Sequence, residues 1–289
     1  MGRFDRERTP EEPPVPPWPA RGEPVERSES GPLGRDGDLP GLGSSGPERT
    51  HQFRLQEPEM ATLADIGTFR ALALTDIARY RYGGQDDAAL QALNRLARHG
   101  LIEYRTLSPG AGQYVTLTPK GRDSLKSLPG KTHADQRFYS GFVKPREARH
   151  DAALYRLYQQ EATKITAANG RVTRVILDFE LKRSINRRLS TIGELTPNEQ
   201  VQRRQEIAAE NGLKVVNGKI PIPDLRIEYE GPNQDQTKVD LELVTGHYHR
   251  GNLALKAQAG FAMYALPEDA VRLRPAMQDP EIMQDILSL

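Results

Sequence analysis

Two acidic residues, Asp224 and Glu242, stand where a β-hairpin would set them face to face. Pro223-Asp224-Leu225-Arg226-Ile227-Glu228-Tyr229 and Lys238-Val239-Asp240-Leu241-Glu242-Leu243 alternate apolar with polar residues, the two-residue period of half-buried strands. Gly231-Pro232-Asn233-Gln234-Asp235 between them is turn chemistry, so an antiparallel hairpin is expected. Charge sets its register. Pairing Glu228 with Lys238 and Arg226 with Asp240 opposes unlike charges, and it places Leu225 against Leu241 and Ile227 against Val239. A slip of one residue would set apolar against charged side chains along the whole ladder. In this register Asp224 faces Glu242. Opposed carboxylates repel, and an oxygen-bound divalent cation is one reason for such a pair to persist. The alternative is an exposed strand end where water screens both charges.

A second set of candidates lies upstream, on the helix predicted from Asp86 to His99. Leu90, Leu93 and Leu96 or Ala97 repeat at three to four residues and form one apolar stripe. Asp86 and Asp87 suit the positive end of the helix dipole, Arg98 and His99 the negative end, and Gly100 is placed to stop the helix. The polar face carries Gln91, Asn94, Arg95 and Arg98. Arginine matches guanine edges, and asparagine or glutamine matches adenine. A solvated face is the alternative for an isolated helix, but the surroundings favour recognition. Two shorter helices precede it: Thr62–Ala71, and one opened by Thr75 as N-cap. A strand from Leu101, bearing Arg105, and another over Tyr114–Leu117 flank the turn Ser108–Gly112, and Thr118-Pro119-Lys120-Gly121 opens a further helix. Helix, "HGLI", β-wing, then "LTPKGRDSL" resembles winged-helix regulators and implies a DNA-binding winged helix-turn-helix over 58–128.

Other residues invite chemistry less directly. His247-Tyr248-His249 matches a metal-binding His-hydrophobic-His pattern, but here it follows Thr245-Gly246 and precedes Arg250-Gly251-Asn252, which predicts a loop touching phosphates through Arg250. Lys182-Arg183-Ser184-Ile185-Asn186-Arg187-Arg188 holds four basic residues in seven. There Arg183 and Arg187 would grip a DNA backbone without reading sequence, unless the cluster only answers the acids Glu194, Glu199 and Glu206. A helix Asn252–Ala265 is expected to pack on the sheet, with Lys256 either solvated or pointing to the carboxylate pair. Gly41-Leu42-Gly43-Ser44-Ser45-Gly46 has no preceding strand and is not a phosphate loop.

The elements that position these residues follow from composition. The chain has 289 residues, enough for two modest domains, with 37% hydrophobic residues and a mean hydropathy of −0.65. Residues 1–57 stand apart. Ten of the 22 prolines fall in the first 50 residues, and 1–57 holds eight Arg against eleven Asp plus Glu. That segment is expected to be a disordered tail, not a basic arm, with a polyproline ligand as the alternative role. A break at Pro129-Gly130-Lys131-Thr132-His133 opens a linker over 129–146. The remainder, 147–289, reads helix, strand, long helical stretch, hairpin, helix and a short terminal helix. No eighteen-residue apolar run is present, the first residues lack the apolar stretch expected of a secretory signal, and cysteine is absent, which excludes disulfides and thiolate metal sites. A cytoplasmic protein is expected. A net charge of +1 means that any nucleic-acid affinity comes from local patches.

"PIPDLRIEYE…VDLELVTG…K…Y" resembles the PD-(D/E)xK nuclease-like fold and, with the upstream winged helix, the replication-relaxation family of plasmids and other mobile elements. The matching positions are Pro223, Asp224, Glu242, Thr245-Gly246, Lys256 and Tyr264, the last two on one helix. His150-Asp151 opening a helix to about Ala167, and Glu180 after a strand Val172–Asp178, also fit. The resemblance implies an α+β chain: a winged helix-turn-helix, then a small α/β restriction-endonuclease-like domain. It implies that Asp224 and Glu242 bind a magnesium-type ion and that a lysine two positions after the glutamate handles the attacking water. That position is Val244. The expectation is a degenerate domain that keeps the fold, with or without the metal, and grips DNA without cutting efficiently; the alternative is that Lys256 substitutes, giving an active metal-dependent nuclease or relaxase. The expected partner is double-stranded DNA, with a homodimer and mobilisation or replication proteins as further partners. A transcription regulator with a C-terminal dimerisation or sensing domain is the remaining reading.

Overall fold

The computed structural model describes residues 55–107, 112–127, 135–141, 144–246, 248–267, 269, 271 and 286–288. All but the last three residues of the expected tail, most of the turn after Leu107, the Pro129–His133 break and His247 lie outside them.

The described chain is α+β. Its first part runs α1 (Glu57–Phe69), β1 (Ala71–Ala73), α2 (Leu74–Arg81), α3 (Asp86–Arg98), β2 (Ile102–Thr106), β3 (Gln113–Leu117) and α4 (Pro119–Lys126). The strands form an antiparallel sheet in the order β1-β3-β2. Leu63, Ile66, Leu74, Ile77, Leu93 and Leu96 from the helices are buried with Val115 and Leu117 of β3. α3 matches its periodicity and ends at Gly100, whose φ of 67° suits the residue that closes a helix. Thr118 caps α4 by accepting the Gly121 N–H at 3.0 Å. Gly121 is required there, because a Cβ would lie 2.0 Å from the Leu101 carbonyl oxygen. Thr75 is not a cap. Its helix begins one residue earlier with Ala73 as N-cap, because β1 runs straight into α2.

The second part runs α5 (Pro145–Ala167), β4 (Arg171–Leu177), α6 (Asp178–Leu189), α7 (Pro197–Glu210), β5 (Leu225–Glu230), β6 (Gln236–Val244), α8 (Arg250–Ala259), β7 (Ala262–Ala265) and β8 (Ile286–Ser288). Its sheet has the order β4-β5-β6-β7-β8, antiparallel as far as β6 and parallel from β6 onward. Two expectations are corrected by this sheet. The helix Asn252–Ala265 stops at Ala259, where Gly260 takes φ 87°, and Tyr264 therefore lies on β7 rather than beside Lys256 on a helix. Residues 262–265 form the short apolar run of a buried parallel strand, which periodicity alone does not separate from a buried helix. The expected terminal helix includes the strand β8.

The helix α5 joins both parts. It starts at Pro145, so His150 and Asp151 sit in its second turn rather than opening it. Ala148 and Ala152 pack against Ala71 and Tyr114. The Tyr155 ring meets Phe69 edge-on at 5.2 Å, and its hydroxyl donates to Asp65 Oδ2 at 2.7 Å. Arg81 donates to the other oxygen of Asp65 at 2.6 Å. Just past α1, Arg70 Nη2 donates to Asp151 Oδ1 at 2.6 Å. Asp151 is only 1% exposed, and burial pushes its carboxyl up to about 7 despite the guanidinium.

A folded-state value raised above the ordinary 3.8 means that the folded protein holds its proton more tightly than the unfolded chain. This group's contribution to stability is therefore greatest at low pH and falls as pH rises through the window from about 4 to about 7. Asp151→Asn should flatten that fall, seen as a weaker dependence of Tm on pH across the window. An unchanged slope would show that Asp151 titrates normally.

Candidate functional site

The hairpin holds the register that its charges dictate: Leu225↔Leu241, Arg226↔Asp240, Ile227↔Val239 and Glu228↔Lys238. Only one of the two cross-strand charge pairs closes into an ion pair. Arg226 Nε reaches Asp240 Oδ1 at 2.6 Å, whereas the Lys238 amine turns away from Glu228 to the Gly212 carbonyl. Glu228 faces Arg174 of β4 at 4.0 Å.

One step beyond the Leu225–Leu241 pair, Asp224 and Glu242 come together. Pro223 ends the irregular approach to β5, and the Asp224 carbonyl accepts the Asp178 N–H at 3.0 Å, which fixes the backbone there. The Asp224 N–H donates to Glu242 Oε2 at 3.2 Å, and Asp224 Oδ2 accepts the Leu243 N–H at 3.0 Å. Glu242 is fully buried, so the exposed-strand-end alternative does not describe this pair. Two further groups converge on Glu242 Oε1. Lys256 Nζ lies 2.6 Å away and also donates to the Ile222 carbonyl at 2.7 Å. The Tyr248 hydroxyl donates to the same oxygen at 2.5 Å.

Burial, and then the neighbouring Asp224, push the Glu242 carboxyl up to about 6, against the pull of Lys256 and Tyr248. Burial likewise raises Asp224, against the Leu243 N–H and Lys256. Burial and the same carboxylates raise the Tyr248 phenol. Among the described residues, Glu242 thus has one direct cationic partner, Lys256, which acts on Asp224 only through its charge. Such displacement of ordinary proton affinities marks a site candidate, since charge is held where it costs stability. His150 Nε2 stands 4.0 Å from Asp224 Oδ1, beyond hydrogen-bonding distance, and burial lowers the affinity of its imidazole for a proton.

The chain matches no protein-family model, no curated protein and no solved structure. Its chemistry is read from these side chains alone.

Asp224 Oδ1 accepts no hydrogen bond among the described residues, and Glu242 Oε2 has only the long one from Asp224. Both are hard oxygen donors with a lone pair to spare. No group of three His, Asp or Glu suited to a metal occurs among the described residues. Asp224 and Glu242 are the side chains here that could hold a hard cation such as magnesium, which one or two carboxylates can bind while it keeps several of its waters.

Val244 stands where the nuclease-like resemblance expects a lysine. Val244 is buried and packs with Leu253, Met263 and Ala265 beneath α8. Lys256 lies three residues beyond Leu253, on the same side of that helix. Its amine thus approaches Glu242 from the covering helix, while the strand position fills with a valine.

Upstream, Gln91, Asn94 and Arg98 are exposed on α3, with the Tyr104 hydroxyl donating to Asn94 Oδ1 at 3.1 Å. Arg95 is placed differently. Its guanidinium lies 2.5 Å from the buried carboxylate of Glu59 on α1 and joins α3 to α1, while a third of the side chain stays exposed. Nothing in the sequence pattern flags that pairing, because the partner is 36 residues away. Arg105 on β2 contacts Glu103 at 2.5 Å. Arg183 and Arg187 are exposed on α6 and make no ion pair among the described residues. Two of the three acids suggested to answer them are engaged elsewhere: Glu199 with Thr196 and Glu206 with Arg203. Arg250 opens α8 at the surface, and Tyr264 bonds Glu161 at 2.6 Å and Lys164 at 2.7 Å, apart from the carboxylate pair. Tyr248 is legible in the sequence only as part of a His-Tyr-His loop, and its bond to Glu242 depends on how α8 folds back.

Proposed function

We propose that the chain is a DNA-binding protein of a mobile genetic element, acting in its replication or mobilisation. The first part would be a winged helix-turn-helix with α3 as its reading helix. The second would be a PD-(D/E)xK nuclease-like domain in the manner of the replication-relaxation family. The observation that carries the second part is the convergence of Asp224, Glu242 and Lys256 from three separate elements onto one buried point. Their sequence order resembles that family's, and the lysine role that Val244 leaves open has a candidate in Lys256. That convergence moves the balance from a merely gripping domain toward an active centre.

Asp224 and Glu242 would hold the metal, which on binding would polarise a phosphodiester and lower the proton affinity of a water. Lys256 holds Glu242 in its charged form and fixes the carboxylate's direction, and Tyr248 fixes it from the other side. Exposed Gln91, Asn94 and Arg98 offer α3's edge to a major groove, and Arg183 and Arg187 offer phosphate contacts. A second reading, a domain that binds DNA without cutting, draws on one fact: both Glu242 oxygens already accept hydrogen bonds.

The deciding experiment is nicking of supercoiled plasmid carrying the element's own DNA, with magnesium or manganese. Wild type should give relaxed product, and Asp224→Ala and Glu242→Ala should each abolish it. Binding without product would establish the second reading. Sequence recognition is tested apart from cutting. Arg98→Ala should weaken specific duplex binding by about 1–3 kcal/mol if it reads a base. A uniform loss on all duplexes would make Arg98 a phosphate contact.

A further inference from the structure

A cavity of about 1000 Å³ is lined by Leu243, the neighbour of Glu242 on β6, and by His150, which faces Asp224. One wall is the first turns of α5, with Arg146, Arg149 and His150. The opposite wall is the end of β6 and the segments beyond it, with Leu243, Thr245 and Leu266. Leu107, the residue after β2, also lines it, so the cavity reaches from the upstream hairpin to His150, whose imidazole faces Asp224 Oδ1 at 4.0 Å. It lies at the carboxyl end of a parallel strand followed by a helix, the place where open α/β sheets bind ligands.

The lining has a defined chemistry. Its two acids are occupied: Glu147 pairs with Arg70 at 3.7 Å, and Asp269 accepts the Gly246 N–H at 2.8 Å. Arg146 is exposed and makes no ion pair among the described residues. Arg146, Arg149 and His150 are spaced three and four residues apart, so they share one side of α5. Opposite this basic edge stand Leu243 and Leu266. A ligand that suits both has regularly spaced negative charge on one side and flat apolar groups on the other. The volume is at the upper end of small-ligand sites, far more than a single phosphate needs.

We propose that this cavity binds a segment of single-stranded DNA, with phosphodiesters along Arg146 and Arg149 and bases against Leu107, Leu243 and Leu266. The inference rests on the nuclease-like reading for the identity of its ligand. It adds the path by which a strand freed from the duplex under α3 reaches Asp224 and Glu242.

The test is fluorescence anisotropy of a short fluorescein-labelled oligothymidylate with the full chain in EDTA, so that no chemistry intervenes. Arg146→Glu should fold, because a carboxylate in the first turn suits the helix dipole. It should bind the oligonucleotide about tenfold more weakly, with a slope of log affinity on log salt flatter by roughly 0.7, the change for one phosphate fewer neutralised. Its duplex affinity should not change. Lys219→Glu, at an exposed position between α7 and β5, serves as a control and should retain oligonucleotide binding. Wild-type affinity in Arg146→Glu, an equal loss in Lys219→Glu, or no binding by the wild type would each overturn the proposal. Equal competition by free thymidine monophosphate would also overturn it, in favour of a mononucleotide site. If Arg146→Glu loses the oligonucleotide while plasmid nicking is absent or indifferent to Asp224 and Glu242, the cavity stands and the nuclease reading fails.

Discussion

Arg226→Met should lower the unfolding free energy by about 3–5 kcal/mol, the loss typical when one partner of a buried ion pair is removed. Arg226 is 5% exposed and Asp240 11%, and two bonds of 2.6 and 2.9 Å join them in a fork. The same guanidinium donates to the Asn211 carbonyl at 2.6 Å and, weakly, to that of Gly212. Those carbonyls close the C-terminus of α7, where a helix leaves acceptors unmet and carries partial negative charge. Methionine fills much of the same space but leaves a buried carboxylate without its cation and a helix end without its donor. In a unit of this size the change corresponds to a fall in Tm of roughly 10 °C. Arg226→Met/Asp240→Leu should recover most of the loss, since an apolar pair replaces a buried ionic one at little cost. A single variant that loses less than about 1 kcal/mol would mean that water reaches the pair, as it does for surface ion pairs.

That pair is legible in the sequence, and the reason shows what sequence carries. A hairpin is local: its two strands lie a few residues apart, their side-chain period is two, and a one-residue slip reverses every pairing. Hence the facing of Asp224 and Glu242 follows before any fold is known. α3 is equally plain, because one apolar stripe lies within Asp86 to His99 and a closing glycine comes directly after it. Residues 262–265 are not, since four apolar residues support strand and helix alike, and only pairing with β6 decides. The partners of single charged side chains are least visible. Sequence pattern points Arg95 toward DNA and Lys238 toward Glu228, yet Arg95 meets Glu59 and Lys238 the Gly212 carbonyl. A long flexible cation takes the nearest buried acceptor, and which acceptor is near is settled by packing between distant elements. The joining of the two parts by α5 is hidden for the same reason: Tyr155 meets Asp65 across 90 residues.

In the proposed nicking reaction, Lys256→Met should reduce the rate by about a hundredfold to ten-thousandfold, the span expected when a group that governs proton transfer is removed. The effect is electrostatic before it is catalytic. Glu242 is fully buried and already raised to about 6 by burial and Asp224, with Lys256 as its only direct cationic partner among the described residues. Without the amine the carboxyl moves further up and spends more of its time protonated at neutral pH, where a protonated acid neither holds a hard cation nor accepts a proton. The activity of Lys256→Met should therefore recover in part at higher pH, as Glu242 ionises, whereas Glu242→Ala should show no recovery at any pH. The duplex binding proposed for α3, and the Tm, should be the same in both variants, which separates a damaged centre from an unfolded chain. Nicking by Lys256→Met at the wild-type rate would show that the amine only balances charge. The lysine role at position 244 would then have no successor in this fold, and the chemistry would have to run through the two carboxylates and water alone.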